Sequence, residues 1–196
     1  MSQDMVGATG DALQMLVHDH RRVDQLYERL RSAGAAGRAD DQKQIAEEII
    51  AELSVHATVE EQVLYPASRD ALAEGDSLVD ESLHEHQEMK EILADLDGAA
   101  PDDPGFSENF EKLMGELRHH VEEEENELFP QLRSALGEHR LMEMGQQLAE
   151  AKRRAPTRPH PHAPDTPPGN VAAGPVAAVV DKARDAVRGA ARDERG

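Results

Sequence analysis

The chain has 196 residues, with 40 Asp and Glu against 21 Lys and Arg, a formal charge of −19, and no cysteine. This length suits one domain of ordinary size plus an additional segment. The lack of thiols excludes disulfides, zinc-thiolate sites, iron-sulfur clusters and cysteine nucleophiles, and leaves nitrogen and oxygen as the only donors for a metal. Residues 151–196 carry nine Lys and Arg against five Asp and Glu, so the acidity is concentrated in residues 1–150. Such a body repels nucleic-acid phosphates and anionic lipids. The polar start and the lack of any run approaching ~20 apolar residues lead to the expectation of a cytoplasmic protein with no membrane span and no nucleic-acid partner.

In chain order, Leu13, Leu16, Val17, Val23, Leu26, Tyr27 and Leu30 recur at the three- and four-residue spacing of an amphipathic helix. His20 lies on that stripe, and His18, about 200° around the helix from it, faces away. The run Ser32 to Asp40, with Gly34 and Gly37, reads as a loop. A second helix starts near Asp40 or Asp41 and carries Ile45, Ile49, Leu53, His56, Glu60 and Val63 on one face. Pro66 should kink or end it.

A third periodic stretch, from about Leu78 to Leu96, places His86 on the apolar side and His84 off it. After a loop with Gly98, Pro101, Pro104 and Gly105, a fourth helix aligns Phe106, Phe110, Leu113, Leu117, His120, Glu124 and Leu128, with Pro130 in the place of Pro66. A shorter amphipathic piece follows, with Leu136, Leu141, Met144 and Leu148, suited to packing across one end of a bundle. Seven of the eleven prolines then fall between Pro156 and Pro175, a density that favours an extended linker. Val176, Val179, Val180, Ala183 and Val187 are spaced as a weak amphipathic helix. The expected organisation is an arm over 1–10, a bundle over 11–152, a Pro-rich linker over 153–175 and a tail over 176–196.

The chain repeats itself. His56-Ala57-Thr58-Val59-Glu60 and the following Leu64-Tyr65-Pro66 return 64 residues later as His120 to Glu124 and Leu128-Phe129-Pro130. Val17-His18-Asp19-His20 likewise matches Leu83-His84-Glu85-His86, 66 residues on. Residues four apart share a helix face, so each His and Glu of the doubled phrase can reach one metal ion. Short loops make sequential helices antiparallel neighbours, and the apolar faces then close into a four-helix bundle. His20, His56, Glu60, His86, His120 and Glu124 would share its core. Buried carboxylates need a compensating charge, and a cation supplies it.

A lone histidine on an apolar face is usually a satisfied core residue; four in register, two with Glu one turn on, indicate a metal site. The donor set suits iron or manganese, and zinc also accepts it. Six protein ligands on two metals leave positions open for a small molecule. Glu61 and Glu125, each one residue past an inferred ligand, are expected to be exposed, as are His18, His84 and His119. Tyr27, two turns beyond His20, is assigned to core packing.

The pattern His, His-x-x-x-Glu, His, His-x-x-x-Glu, each pair followed by Leu, an aromatic and Pro, resembles the hemerythrin-like, or HHE cation-binding, family over roughly residues 11–150. The resemblance implies an all-α, antiparallel up-down four-helix bundle enclosing a non-haem di-iron site, with a short fifth helix and a Pro-rich C-terminal tail outside it. Iron ligands would be His20, His56, Glu60, His86, His120 and Glu124, with Glu60 and Glu124 bridging two Fe ions. Oxygen-carrying members have a further histidine where this chain has Lys90, which argues against reversible dioxygen carriage. The six-ligand subgroup implies a protein acting on small oxidants, foremost peroxide in a catalase-like reaction, or detoxifying nitric oxide and peroxide. The alternative it implies is a module that binds or senses iron, dioxygen or nitric oxide without turnover.

Overall fold

The computed structural model describes residues 10–166, 169–170, 177–181 and 183. The arm over 1–9 and most of the expected tail helix, including Val176 and Val187, lie outside the described residues. Six helices account for the body: α1 (Ala12–Ala35), α2 (Ala39–Val59), α3 (Tyr65–Ala71), α4 (Gly75–Leu96), α5 (Phe106–Glu123) and α6 (Phe129–Arg154). The π-helical turn Glu60–Leu64 joins α2 to α3, and a second, Glu124–Leu128, joins α5 to α6.

Four long rods result, and their direction follows from two separate apolar clusters. One contains Val23, Leu26, Leu30, Ile45, Ile49, Leu53, Met89, Leu93, Leu96, Phe106, Phe110 and Leu117. The other contains Leu13, Leu16, Val59, Leu64, Tyr65, Val79, Leu128, Leu132, Leu141, Met144 and Leu148. Along α1 and α4 the chain passes from the second cluster to the first; along α2 and α5 it returns. The rods therefore alternate up and down, as the resemblance implies. In all four, the histidines fall at the crossing between clusters, so the site forms a polar layer sealed above and below by hydrocarbon.

Local chemistry sets the ends. Asp11 caps α1: its carboxylate accepts from the Gln14 amide while the Gln14 side chain accepts from the Asp11 amide. Asp11 is also buried and paired with Arg133 of α6 at 2.9 Å, which ties the start of α1 to the last rod. The α1–α2 connection is tighter than the expected loop, because α1 runs on to Ala35 and α2 begins at Ala39 after Gly37 turns the chain at φ 66°. At the corner between α3 and α4, a Cβ on Gly75 would stand 2.4 Å from the Ser68 carbonyl oxygen, so only glycine allows that approach.

Pro66 and Pro130 do not end their rods. Each sits in the first turn after a π turn, in which the Tyr65 amide donates to the Glu60 carbonyl and the Phe129 amide to the Glu124 carbonyl. The rod instead breaks at Gly137, at φ 73° and ψ 168°. The segment beyond it, through Leu141, Met144 and Leu148, folds onto the end of the bundle beside Leu13 and Leu16 as the short fifth helix.

Past α6 the chain lies against the bundle. Arg158, 5% exposed, pairs with Asp97 at the end of α4 at 2.9 Å, and its amide donates to Asp181. Asn170 donates to the Glu61 carbonyl and to the Asp165 carbonyl, and Gln62 donates to the Asn170 carbonyl. This strap crosses the α2–α4 face at the level of the polar layer. No helix among the described residues is long and apolar enough to cross a membrane.

Candidate metal centre

The six residues singled out from the repeat meet in the sealed layer, all 4% exposed or less. The imidazoles converge in two pairs: His20 Nε2 lies 3.2 Å from His56 Nε2, and His86 Nε2 lies 3.2 Å from His120 Nε2. Each glutamate spans both pairs. Glu60 reaches His56 with one oxygen at 3.2 Å and His86 with the other at 3.4 Å. Glu124 reaches His20 at 3.4 Å and His120 at 3.7 Å. One carboxylate oxygen from each glutamate thus faces each histidine pair.

The far nitrogen of every imidazole is held by an acid. Nδ1 of His20 meets Glu125 at 2.9 Å, His86 meets Glu61 at 3.0 Å, His120 meets Glu85 at 2.7 Å, and His56 meets Asp19 at 3.5 Å. A carboxylate at Nδ1 fixes the proton there and turns the Nε2 lone pair inward. The acids are themselves held: Lys152 bonds Asp19 at 2.6 Å, Lys90 bonds Glu61 at 2.6 Å, and Arg21 bonds Glu125 at 2.7 Å. The arrangement keeps the chain's internal symmetry, since Asp19 and Glu85 occupy matching repeat positions, as do Glu61 and Glu125.

The expectation that Glu61 and Glu125 are exposed is corrected. Glu61 is 4% exposed, and the Glu125 side chain retains 20%. A wheel of 100° per residue places them a quarter turn off the core, but both lie in π turns, where the wider helix carries them toward the neighbouring histidine. Sequence reasoning also missed Asp19 and Glu85, although the Asp19/Glu85 match in the repeat marked them. His18, His84 and His119 are exposed as expected, and Tyr27 packs in the first cluster with the Arg118 guanidinium over its ring.

Symmetry breaks at the aromatic of the doubled phrase. The Tyr65 hydroxyl lies 3.0 Å from His86 Nε2 and donates to Glu124 at 3.4 Å, whereas Phe129 stacks on the His20 ring. The π turn brings residue 65 over residue 60, which is why the phenol enters the layer. Burial, reinforced by Glu60 and Glu124, pushes the phenol well above its usual range, so it keeps its proton.

The two glutamates are pushed in opposite directions. Burial, then the neighbouring Glu124, hold Glu60 well above the usual carboxylate range. Burial also opposes ionisation of Glu124, but His120 and His20 outweigh it and lower its pKa. Burial, then His120 and Lys90, push His86 well below its usual value, and burial lowers His56 against the pull of Asp19. Asp19 is lowered: burial would raise it, but His56 and Lys152 prevail. A carboxylate with a depressed folded pKa stabilises the fold above its unfolded value, near 4, and loses that contribution as pH falls through the lower folded value. Urea melts between pH 5 and 3 should therefore show a shallower acid loss for Asp19→Asn than for the wild type.

These groups fit a pair of cations. With Nδ1 protons committed to acids, the Nε2 lone pairs face one another at 3.2 Å, and both oxygens of Glu60 and one of Glu124 are buried without a hydrogen-bond partner. His20, His56, Glu60 and Glu124 can surround one ion, and Glu60, His86 and His120 a second. A third group, Glu85, His119 and Glu123, is partly exposed.

A helical bundle with two inward carboxylates shared between two histidine pairs defines a metal-binding class of protein. The chain belongs to the hemerythrin family: the model of the hemerythrin HHE cation-binding domain matches residues 11–132. It is 33% identical over 168 residues to an uncharacterized hemerythrin-like protein of Schizosaccharomyces pombe, covering 85% of this chain and 81% of that one. It is also 30% identical over 143 residues to a protein of Nostoc sp. named as a DNA nickase; this covers 71% of the chain but only 38% of that protein. No solved structure matches.

Proposed function

We propose that this is a cytoplasmic non-haem di-iron protein in which His20, His56, Glu60, His86, His120 and Glu124 are the metal ligands, and that it decomposes hydrogen peroxide. The observation that carries the reading is the sharing of Glu60 and Glu124 between the two histidine pairs, with three of their four oxygens otherwise unpartnered. A nitrogen and oxygen donor set without sulfur suits iron, with manganese and zinc as competitors. Bound iron would supply reversible electron storage, so that one peroxide is oxidised to dioxygen and a second is reduced to two waters.

The chain's own groups prepare that chemistry. The four acids at Nδ1 hold the imidazoles in the ligating tautomer. Burial and Glu124 oppose the ionisation of Glu60 that a cation requires, so metal uptake should release protons. The Tyr65 hydroxyl offers a proton donor beside His86 and Glu124. The two hydrocarbon layers exclude bulk water and larger substrates. Nitric oxide is small enough to share the site and is the second candidate substrate.

Iron-loaded protein should release one dioxygen per two peroxides at an oxygen electrode, and His120→Ala should reduce this to background. Unchanged peroxide at full iron occupancy would contradict the reading. A sensing role is favoured by a different observation, the hold of Asn170 on the Glu61 carbonyl, which joins the strap to a residue that positions His86. Limited proteolysis of residues 155–166 that differs between metal-free and metal-loaded protein would support it, and identical cleavage would exclude it. The Nostoc relative's name carries no weight here, because most of that protein is unmatched and the acidic body repels DNA.

A further inference from the structure

Two cavities line up between the strap and the polar layer. The outer one, about 110 Å³, lies under the strap, between Pro156, Pro159 and Asn170 on one side and Ala57, Glu61 and Lys90 of the bundle on the other. The inner one, about 10 Å³, is bounded by His56, His86, Ala57, Met89, Lys90 and Leu117. Ala57 and Lys90 line both, so they form the wall between strap and ligand histidines. Two larger cavities, about 400 and 660 Å³, touch none of the six inward-facing residues.

The wall is thin for a physical reason. Ala57 contributes a single methyl group, and Lys90 is a flexible four-carbon chain held only at its tip, by Glu61 at 2.6 Å. The outer cavity has room for a few water-sized molecules and the inner one for about one. The lining is mostly apolar by area; its cationic side chains are already paired, Lys90 with Glu61 at 2.6 Å and Arg158 with Asp97 at 2.9 Å, His160 meets Asp181, and Asn170 Oδ1 is buried without a partner among the described residues. An anion would lose its hydration here without gaining a free cation. A small neutral molecule with hydroxyl donors would find an acceptor in Asn170.

We propose that the strap cavity is the access chamber of the metal centre, binding a small neutral oxidant of the hydrogen-peroxide class and passing it between Ala57 and Lys90 to the His56 and His86 edge. This rests on the reading of a small-oxidant site given above and adds the route and the gate. Lys90, which stands where oxygen carriers have a further histidine, then serves as the movable part of the wall.

Two measurements separate the route from the metal chemistry. In metal-free protein under xenon pressure, crystals of the wild type should show xenon beside Ala57, and Ala57→Leu should show none there. Wild-type crystals without xenon in that cavity would overturn the proposal whether or not iron binds. In ferrous-loaded protein, the nitric oxide association rate followed by absorbance should fall about tenfold in Ala57→Leu at unchanged iron content and rise about tenfold in Lys90→Ala. Rates equal to wild type in Lys90→Ala would overturn the route even if Ala57→Leu failed to fold. Failure of all variants and the wild type to load iron would sink the proposed function and leave the xenon result to decide the chamber.

Discussion

Glu60→Gln should abolish tight binding of both irons while raising the melting temperature of the metal-free bundle. The opposite signs follow from one cause. Without metal, Glu60 is a fully buried carboxyl that burial and Glu124 hold well above its usual range, and neither of its oxygens has a hydrogen-bond partner. A neutral amide of the same shape removes the like-charge conflict with Glu124. It also removes an anionic oxygen from each histidine pair, since Glu60 faces both His56 and His86. A metal held at a hundred times its dissociation constant stabilises the folded state by about 2.7 kcal/mol, which for a domain of this size is roughly 5 to 10 °C in Tm. Calorimetry with and without iron should therefore give a large metal-dependent shift for the wild type and almost none for Glu60→Gln. An equal shift in both would remove Glu60 from the centre.

The second large effect belongs to residues that never reach the metal. Glu85→Ala leaves His120 Nδ1 without its 2.7 Å acceptor, freeing the ring to take the other tautomer or to turn. Iron affinity should fall about 10- to 100-fold, measured by competition with a chelator of known affinity. Glu85→Gln keeps a carbonyl acceptor and should recover most of the loss. A merely structural role for Glu85 would make both variants alike. Glu61→Ala should resemble Glu85→Ala at His86, with the Lys90 ammonium released as well.

How much was legible from the residues alone follows a physical boundary. The ligand candidates could be found because regular helices and a 64-residue repeat are both linear patterns: His56 and Glu60 share a face whether or not the bundle around them is known. The antiparallel order followed from short loops, and the capping segment from the spacing of Leu141, Met144 and Leu148. The helix wheel failed within Glu60–Leu64 and Glu124–Leu128, because a π turn rotates later residues away from their 100° positions. Glu61 moved inward and Tyr65 acquired a place beside His86 for that reason. Nor could the acids at Nδ1 be paired with their histidines, since each of the four pairs joins different helical segments, from 25 positions apart for Glu61 and His86 to 105 for His20 and Glu125. The Pro-rich stretch read as an extended linker. Its contacts to Asp97 and Glu61 depend on where the bundle places those groups, which no periodicity within residues 153–175 encodes.

The central claim is that two metal ions share Glu60 and Glu124 between the pairs His20/His56 and His86/His120. Anomalous diffraction at the iron edge from crystals of iron-loaded protein tests it directly. Two peaks are expected inside the sealed layer, each about 2.0 to 2.2 Å from the two Nε2 atoms of one pair. No peak there, or one only at the partly exposed Glu85, His119 and Glu123 group, would contradict it.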